Sequence, residues 1–520
     1  MRALLPLLLA CSLSYAGPTV RGQRSLSRAV RAAIGDAERV LFVLDATPYT
    51  KAEIVEIGIA LQKIERTGRF RIAVLGESPS APQSEAGALT PQLPKLLDEP
   101  RRAVSTVRAL HKTIANHTKP GTIVYLADWH FEDDQRPEGL LDRLKARKQV
   151  FSVVGSEAAF GRGWNDGFAW TGKEEFADRI GKNPWKVQKA PWHGGDTAYN
   201  HVPYRFGGPG WQTEFPLRME SPENLMQRLR KGDLERPSMS RFPLPSAFGP
   251  YALSRICQET GGRYVLWSWN RAGRSNVTYD YSRCELFAPD LRSRKAIRAD
   301  IHKRPLARGL DGAWQELATS RSGLVLLSPS LPDGHKTTER SESLMFSWPG
   351  KAAHDDFLRR AEKVLRVYDR ALKLLDRPIR RTIQPKDAID RRYLADAHLL
   401  QFIVRAQRFA VGEAFELAKT VKDDAWKGEQ FPTLQPVPAD PQSEIMKQRA
   451  EFLKRYTGTP FGEQVRRNRV DTYRIVTREM PNRPATGNLG NSPAFSDRTP
   501  RKPTPPAGGS SGGSGPSSGG

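Results

Sequence analysis

Apolar runs of strand length alternate with amphipathic stretches through the first half of the chain. Val40 to Leu44 is uninterruptedly apolar. In Lys51 to Arg66, which follows, Ile54, Ile57, Leu61 and Ile64 recur at the i, i+3, i+7, i+10 spacing of a buried helical stripe, and Thr67-Gly68 supplies the glycine that commonly ends a helix. Phe70 to Leu75 reads as a second strand, and the Pro/Ser/Ala-rich stretch Glu77 to Pro94 as a loop. Arg101 to His117 carries Val104, Val107, Leu110 and Ile114 on one helical face. Strand Thr122 to Leu126, helix Pro137 to Arg147 with proline at its start, and strand Val150 to Val154 continue the series. Helix Gly249 to Glu259, ended by Gly261-Gly262, then leads into strand Arg263 to Trp267. Buried strands alternating with helices predict an α/β fold: a doubly wound, mainly parallel sheet covered on both faces, over residues 36–270.

One long segment breaks the alternation. Residues 156–245 have no clear period and are dense in glycine, proline and aromatic rings; six of the eleven tryptophans fall between Trp129 and Trp211. Beyond the sheet domain, residues 271–350 read as an irregular connection. A helical region is expected over 351–480. Its first helix carries the stripe Phe357, Ala361, Val364, Tyr368, Leu372 and Leu375; a second spans about Lys386 to Val421; a third, Ser443 to Tyr456, follows a proline-rich linker at Phe431 to Pro441. Helices joined by short loops suggest a small antiparallel bundle. Residues 481–520 lose all periodicity and end in a Pro/Gly/Ser-rich tail of disordered composition.

The 520 residues call for more than one domain. The opening residues have the layout of an export signal: Arg2, an apolar stretch from Ala3 to Leu13, and small residues before a cleavage point after Ala16. That stretch is too short to span a bilayer, and residues 17–35 form a basic lead-in. The expectation is an exported protein, periplasmic or extracellular, without a transmembrane helix in the mature chain. Leu8-Leu9-Ala10-Cys11 offers a lipoprotein anchor at Cys11 as the alternative. Export leaves Cys257 and Cys284, which an oxidising compartment could join as a disulfide or which could remain buried and free. Net charge is +24. Residues 291–308 hold seven Lys/Arg against one acid, and residues 359–381 nine against three. Such segments suit acidic polymers, while no nucleic-acid motif accompanies them.

Asp45 ends the first apolar strand, and the segment continues Ala46-Thr47-Pro48-Tyr49-Thr50. In open α/β sheets ligands bind outside the carboxyl ends of strands, so an acid with hydroxyl neighbours there can hold a hard cation through oxygen. This strand, the strand ending before Asp128, and the run from Leu253 through Thr260-Gly261-Gly262-Arg263-Tyr264 together resemble a von Willebrand factor type A domain. Segments Val154 to Gly161 and Phe248 to Leu253 resemble exported bacterial proteins of that type. The resemblance covers about residues 36–270 and implies a Mg²⁺ or Mn²⁺ adhesion site of the pattern D-x-S-x-S plus a later Thr and Asp. Asp45 and Asp128 match the two acids and Thr47 keeps the first hydroxyl. Tyr49 replaces the second serine, with Thr50 one step away, and Thr90 and Thr106 are candidates for the later threonine. Mg²⁺ enforces near-octahedral oxygens at about 2.0–2.1 Å, a geometry a phenol fits poorly. The implied state is therefore a degenerate site without metal, retained for contacts with a protein or glycan of the cell envelope.

Two other constellations compete with that reading. Trp192-His193-Gly194-Gly195-Asp196 in the insertion combines rings, turn glycines and ionisable groups, which can grip a sugar or peptide or can build a small private core. Asp128, His130, Glu132, Asp133 and Asp134 cluster past a strand end, and a hydrolase would draw on them. No GxSxG, phosphate loop, HExxH or dinucleotide fingerprint is present. The expected function is a non-catalytic interaction module, with binding of acidic envelope polymers and hydrolysis as alternatives.

Overall fold

The computed structural model describes residues 19–21, 23, 25–45, 51–97, 106–127, 137–158, 160, 168–169, 186–187, 196–197, 244–267, 279–319, 346–348, 350–382, 384–385, 387–426, 430–467 and 470–479. Its first half contains strands β1 (Thr19–Val20), β2 (Arg39–Leu44), β3 (Thr67–Val74), β4 (Gln83–Glu85), β5 (Gly121–Ala127), β6 (Gln149–Gly155), β7 (Phe168–Ala169), β8 (Lys186–Val187) and β9 (Tyr264–Leu266). Seven of them form one sheet in the order β1-β9-β6-β5-β2-β3-β4, parallel except for β4. Helices α1 (Leu26–Ile34) and α2 (Lys51–Gln62) pack side by side on one face; α4 (Thr106–Ala115), α5 (Glu138–Ala146) and α6 (Tyr251–Thr260) pack on the other, and α3 (Leu93–Leu97) follows β4. Val40 through Leu44 are wholly buried, as expected for a central parallel strand covered on both faces.

The stretch 77–94 is more ordered than a loop. Gln83 and Glu85 pair antiparallel with Phe70 and Thr67 of β3. Ala86, Leu89, Leu93 and Leu97 are buried at helical spacing through a 3-10 turn at Ala86–Gln92 and then α3. Pro91 and Pro94 disguise this period. The edge strand β1 is another addition: two residues that pair with Tyr264 and Val265 of β9.

His117, just past α4, is buried. Burial, then the nearby Arg71 and Arg147, lowers its pKa to about 4. An unfolded histidine titrates near 6.5, so between that pH and about 4 the unfolded chain binds the extra proton and stability falls with acidification. The loss should reach about 3 kcal/mol once the pH drops below the folded value. Denaturant midpoints measured from pH 7 to pH 4 should therefore decline, and decline less in His117→Gln; identical profiles would show that His117 does not contribute.

The second half adds helices α7 (Tyr281–Glu285), α8 (Arg294–Ile301), α9 (Pro305–Thr319), α10 (Lys351–Arg381), α11 (Ala388–Lys419), α12 (Glu444–Arg455) and α13 (Pro460–Arg467), with strands β10 (Phe346–Ser347), β11 (Gln430–Pro438) and β12 (Asp471–Glu479). Among its described residues the connection 271–350 thus holds three helices. Asp280 caps α7 by accepting the N–H groups of Ser282 and Arg283, and Ser293 caps α8 by accepting that of Ala296. Helices α9, α10 and α11 share a core containing Leu310, Ala361, Val364, Tyr368, Leu375, Leu400 and Val404. The expected linker 431–441 is instead mostly strand β11, paired over nine residues with β12. Its prolines, 432, 436 and 438, share one register of the pleat. Their missing N–H groups can face the side that β10 covers only at Thr433 and Leu434.

The two halves abut. Tyr251 and Ala252 of α6 join the core of the helical region, and the Tyr251 hydroxyl donates to the Arg292 carbonyl at 2.6 Å. No described helix is long and apolar enough to cross a membrane. Cys257 and Cys284 are both buried and free. The disulfide that two cysteines permit is absent because they belong to separate clusters, Cys257 to the sheet core and Cys284 to a small group with Ala247, Phe248 and Tyr279. Burial pushes both thiols up, which keeps them protonated and poor nucleophiles.

Candidate functional site at the carboxyl edge of the sheet

From β2 the chain runs outward to β3, then returns across the sheet to β5, β6 and β9. The neighbours β2 and β5 therefore have connections leaving in opposite directions. Their carboxyl ends flank the crevice where open α/β sheets hold ligands. Asp45 stands at the end of β2 on this crevice. It is 4% exposed, and its backbone N–H donates to the Leu126 carbonyl of β5 at 3.0 Å. The pairings Leu44 with Leu126, Leu126 with Val154 and Val154 with Val265 bring the four strand ends level. The sequence places Asp45 at the carboxyl end of an apolar strand; its burial and its position at the strand-order reversal come from the fold.

Other candidates cannot be placed around it. Thr47, Tyr49, Thr50, Asp128, His130, Trp192 and His193 lie outside the described residues, as does the whole Asp128–Asp134 run. Among the described residues no three His, Cys, Asp or Glu side chains are grouped to hold a metal ion. Thr90 is described, but its hydroxyl donates to the Gly58 carbonyl of α2. Asp45 and Thr47 offer donors that suit Mg²⁺ or Mn²⁺; a phenol at position 49 does not.

Two segments beside the edge prove to be partners. The Ala158 N–H donates to the Phe248 carbonyl at 2.7 Å, Ser246 N–H to Ala158 at 2.9 Å, and Phe160 N–H to Leu244 at 2.7 Å. The entry and exit of the long insertion are thus zipped together at the carboxyl edge. Within this neck Ala247 has a φ of 69°, a left-handed conformation that costs a non-glycine residue about 1–2 kcal/mol. Side chains hold it there. The Glu157 carboxylate accepts the Ala247 N–H at 2.8 Å and the Tyr281 hydroxyl at 3.1 Å, while Arg21 donates to the Ala247 carbonyl at 3.2 Å and pairs with Glu285 at 2.8 Å. Burial raises the Glu157 pKa, and the Ala247 N–H, the Tyr281 hydroxyl and the Arg21 charge pull it back. The quoted likeness of residues 154–161 and 248–253 was the only sequence signal of this neck.

The insertion is anchored a second time. Asp196 is wholly buried, and Arg392 of α11 meets it through two hydrogen bonds of 3.0 and 3.2 Å. The same guanidinium donates to the Phe287 carbonyl at 3.0 Å, lies 3.5 Å from Asp396, and sits over the rings of Phe160 and Phe461. Asp196, the described member of the ring-rich 192–196 segment, therefore faces inward as a structural anchor.

A cavity of about 280 Å³ adjoins β1 and is lined by Arg21, Phe248, Ser254, Gln258, Asp290 and Arg292 among others. Its arginines are already satisfied, Arg21 by Glu285 and Arg292 by Asp290 at 2.7 Å, so it presents no uncompensated charge to a ligand.

No family model, curated protein or solved structure matches the chain.

Proposed function

We propose that this protein is a non-catalytic interaction module of the von Willebrand factor A type, docking a protein of the cell envelope on the carboxyl edge of its parallel sheet. Asp45 carries the reading: a buried carboxylate at the point where the strand order reverses, in the crevice that such sheets use for ligands. The adjoining surface favours a protein over a glycan. Helix α2 begins at this edge, and its Val55 and Ile59, one turn apart, are 60% and 43% exposed. Exposed large aliphatic side chains in a patch commonly mark a protein contact. Tyr281, also exposed, reaches the same edge through Glu157.

Because Val55 and Ile59 are solvent-facing, Val55→Asp/Ile59→Asp should leave the melting temperature nearly unchanged while abolishing capture of the partner from an envelope fraction. Capture at wild-type level would remove this edge from consideration. Calorimetric titration with Mg²⁺ and Mn²⁺ should show no saturable heat. A stoichiometric Mg²⁺ site lost in Asp45→Asn would instead make the docking metal-dependent.

A further inference from the structure

Helix α10 carries a line of charge that the docking edge does not use. Arg359, Lys363, Arg366, Arg370, Lys373, Arg377 and Arg380 follow one another at alternating steps of four and three residues, and all seven are exposed. At 3.6 residues per turn they fall within an arc of about 100° and extend over about 31 Å, one positive group every ~5 Å. The opposite face of the helix is spent on the core, through Phe357, Ala361, Val364, Tyr368 and Leu375. The stripe is therefore held on the solvent side of a packed helix and has no apolar face left to sink into a bilayer.

Its charge is not cancelled by its surroundings. Asp369 and Asp376, on the flank toward α11, are met by Arg408 at 2.6 Å and Arg405 at 3.3 Å. Arg366 and Arg380 lie 3.6 Å from Glu362 and Asp376, Arg370 meets Glu316 at 2.5 Å, and Arg359 meets Asp356. In each pair the arginine itself is exposed to solvent, and pairs of this kind are worth little. Lys363, Lys373 and Arg377 have no ion-pair partner among the described residues.

We infer that this face of α10 binds a linear, base-free phosphate polymer lying along the helix. A single-file row suits a chain better than a flat membrane. Five of the seven groups are arginine, whose planar fork matches phosphate oxygens. The aromatic residues of the helix, Phe357 and Tyr368, are buried, so the stripe offers no aromatic ring as a stacking platform for a nucleobase.

The test is fluorescence anisotropy of the full chain with labelled inorganic polyphosphate across a salt series. Neutralising the unpaired groups in Lys363→Gln/Lys373→Gln/Arg377→Gln should weaken binding on the order of 50-fold at about 0.15 M salt and flatten the log–log salt slope by about 2. The exposed lysines Lys63, Lys112 and Lys119 of the sheet domain serve as the charge-matched control, and K63Q/K112Q/K119Q should change binding little. Equal losses in the two triple variants would overturn the inference in favour of diffuse attraction to a +24 chain. So would tighter binding of a single-stranded oligonucleotide of matched charge, or binding confined to anionic lipid vesicles.

Discussion

Arg392→Met should be among the most damaging single substitutions in the chain. It strands Asp196, 0% exposed, and leaves Asp396 without its nearby cation. Removing one partner of a buried ion pair costs about 3–5 kcal/mol, because the remaining charge keeps its desolvation penalty, and that is a large part of a typical domain's total stability. The pair joins the insertion to α11, 196 residues away in sequence, so cleavage by trypsin between residues 161 and 243 should accelerate in the same variant. Asp196→Asn keeps the shape and should cost less. The two substitutions should also couple by more than about 1 kcal/mol in a double-mutant cycle; additivity within about 0.5 kcal/mol would show that this contact does not hold the insertion down.

The second large effect concerns adjacent glycines with different reasons to be glycine. Gly261 ends α6 with a φ of 76°, and a Cβ there would meet nothing within 4 Å. Gly261→Ala therefore pays only the left-handed penalty, about 1–2 kcal/mol. Gly262 is different: a Cβ would lie 1.9 Å from the Phe151 carbonyl oxygen and 2.6 Å from its carbon, both backbone atoms of β6. Its N–H also donates to the Cys257 carbonyl at 2.8 Å. Gly262→Ala must push α6 and β9 off β6, and overpacking of this kind costs about 3 kcal/mol or more. Urea midpoints should therefore fall much further for Gly262→Ala than for Gly261→Ala. The reverse order would mean that the helix-to-strand passage onto β6 is wrongly placed.

Legibility in the sequence followed how locally each feature is encoded. Strands β2, β3, β5 and β6 were legible because parallel strands buried on both faces leave unbroken apolar runs. Helices α10 and α11 were legible because about 30 residues of regular period leave no competing choice. Strand β1 has no such signature: its two residues are recruited by hydrogen bonds to β9. Prolines hid β11 and the turn before α3, since a Pro-rich segment reads as a linker until its partner strand is known. Helices α7 and α8 are short, and their best signals were the caps Asp280 and Ser293. At the candidate site, Asp45 was legible from its place after an apolar run. Arg21, Glu157 and Tyr281 were not, because they converge on Ala247 from distant parts of the chain, and Arg392 sits in a helix where an arginine ordinarily faces water.

The most direct trial of a carboxyl-edge docking face is site-specific photocrosslinking from the two ends of the sheet. One probe replaces Tyr49, four residues past Asp45; the other replaces Lys119, exposed just before β5 at the amino end. In an envelope fraction the Tyr49 probe should yield a discrete adduct that disappears in the Val55→Asp/Ile59→Asp background, with none from Lys119. Adducts from Lys119 alone, or a Tyr49 adduct indifferent to the α2 substitutions, would contradict it.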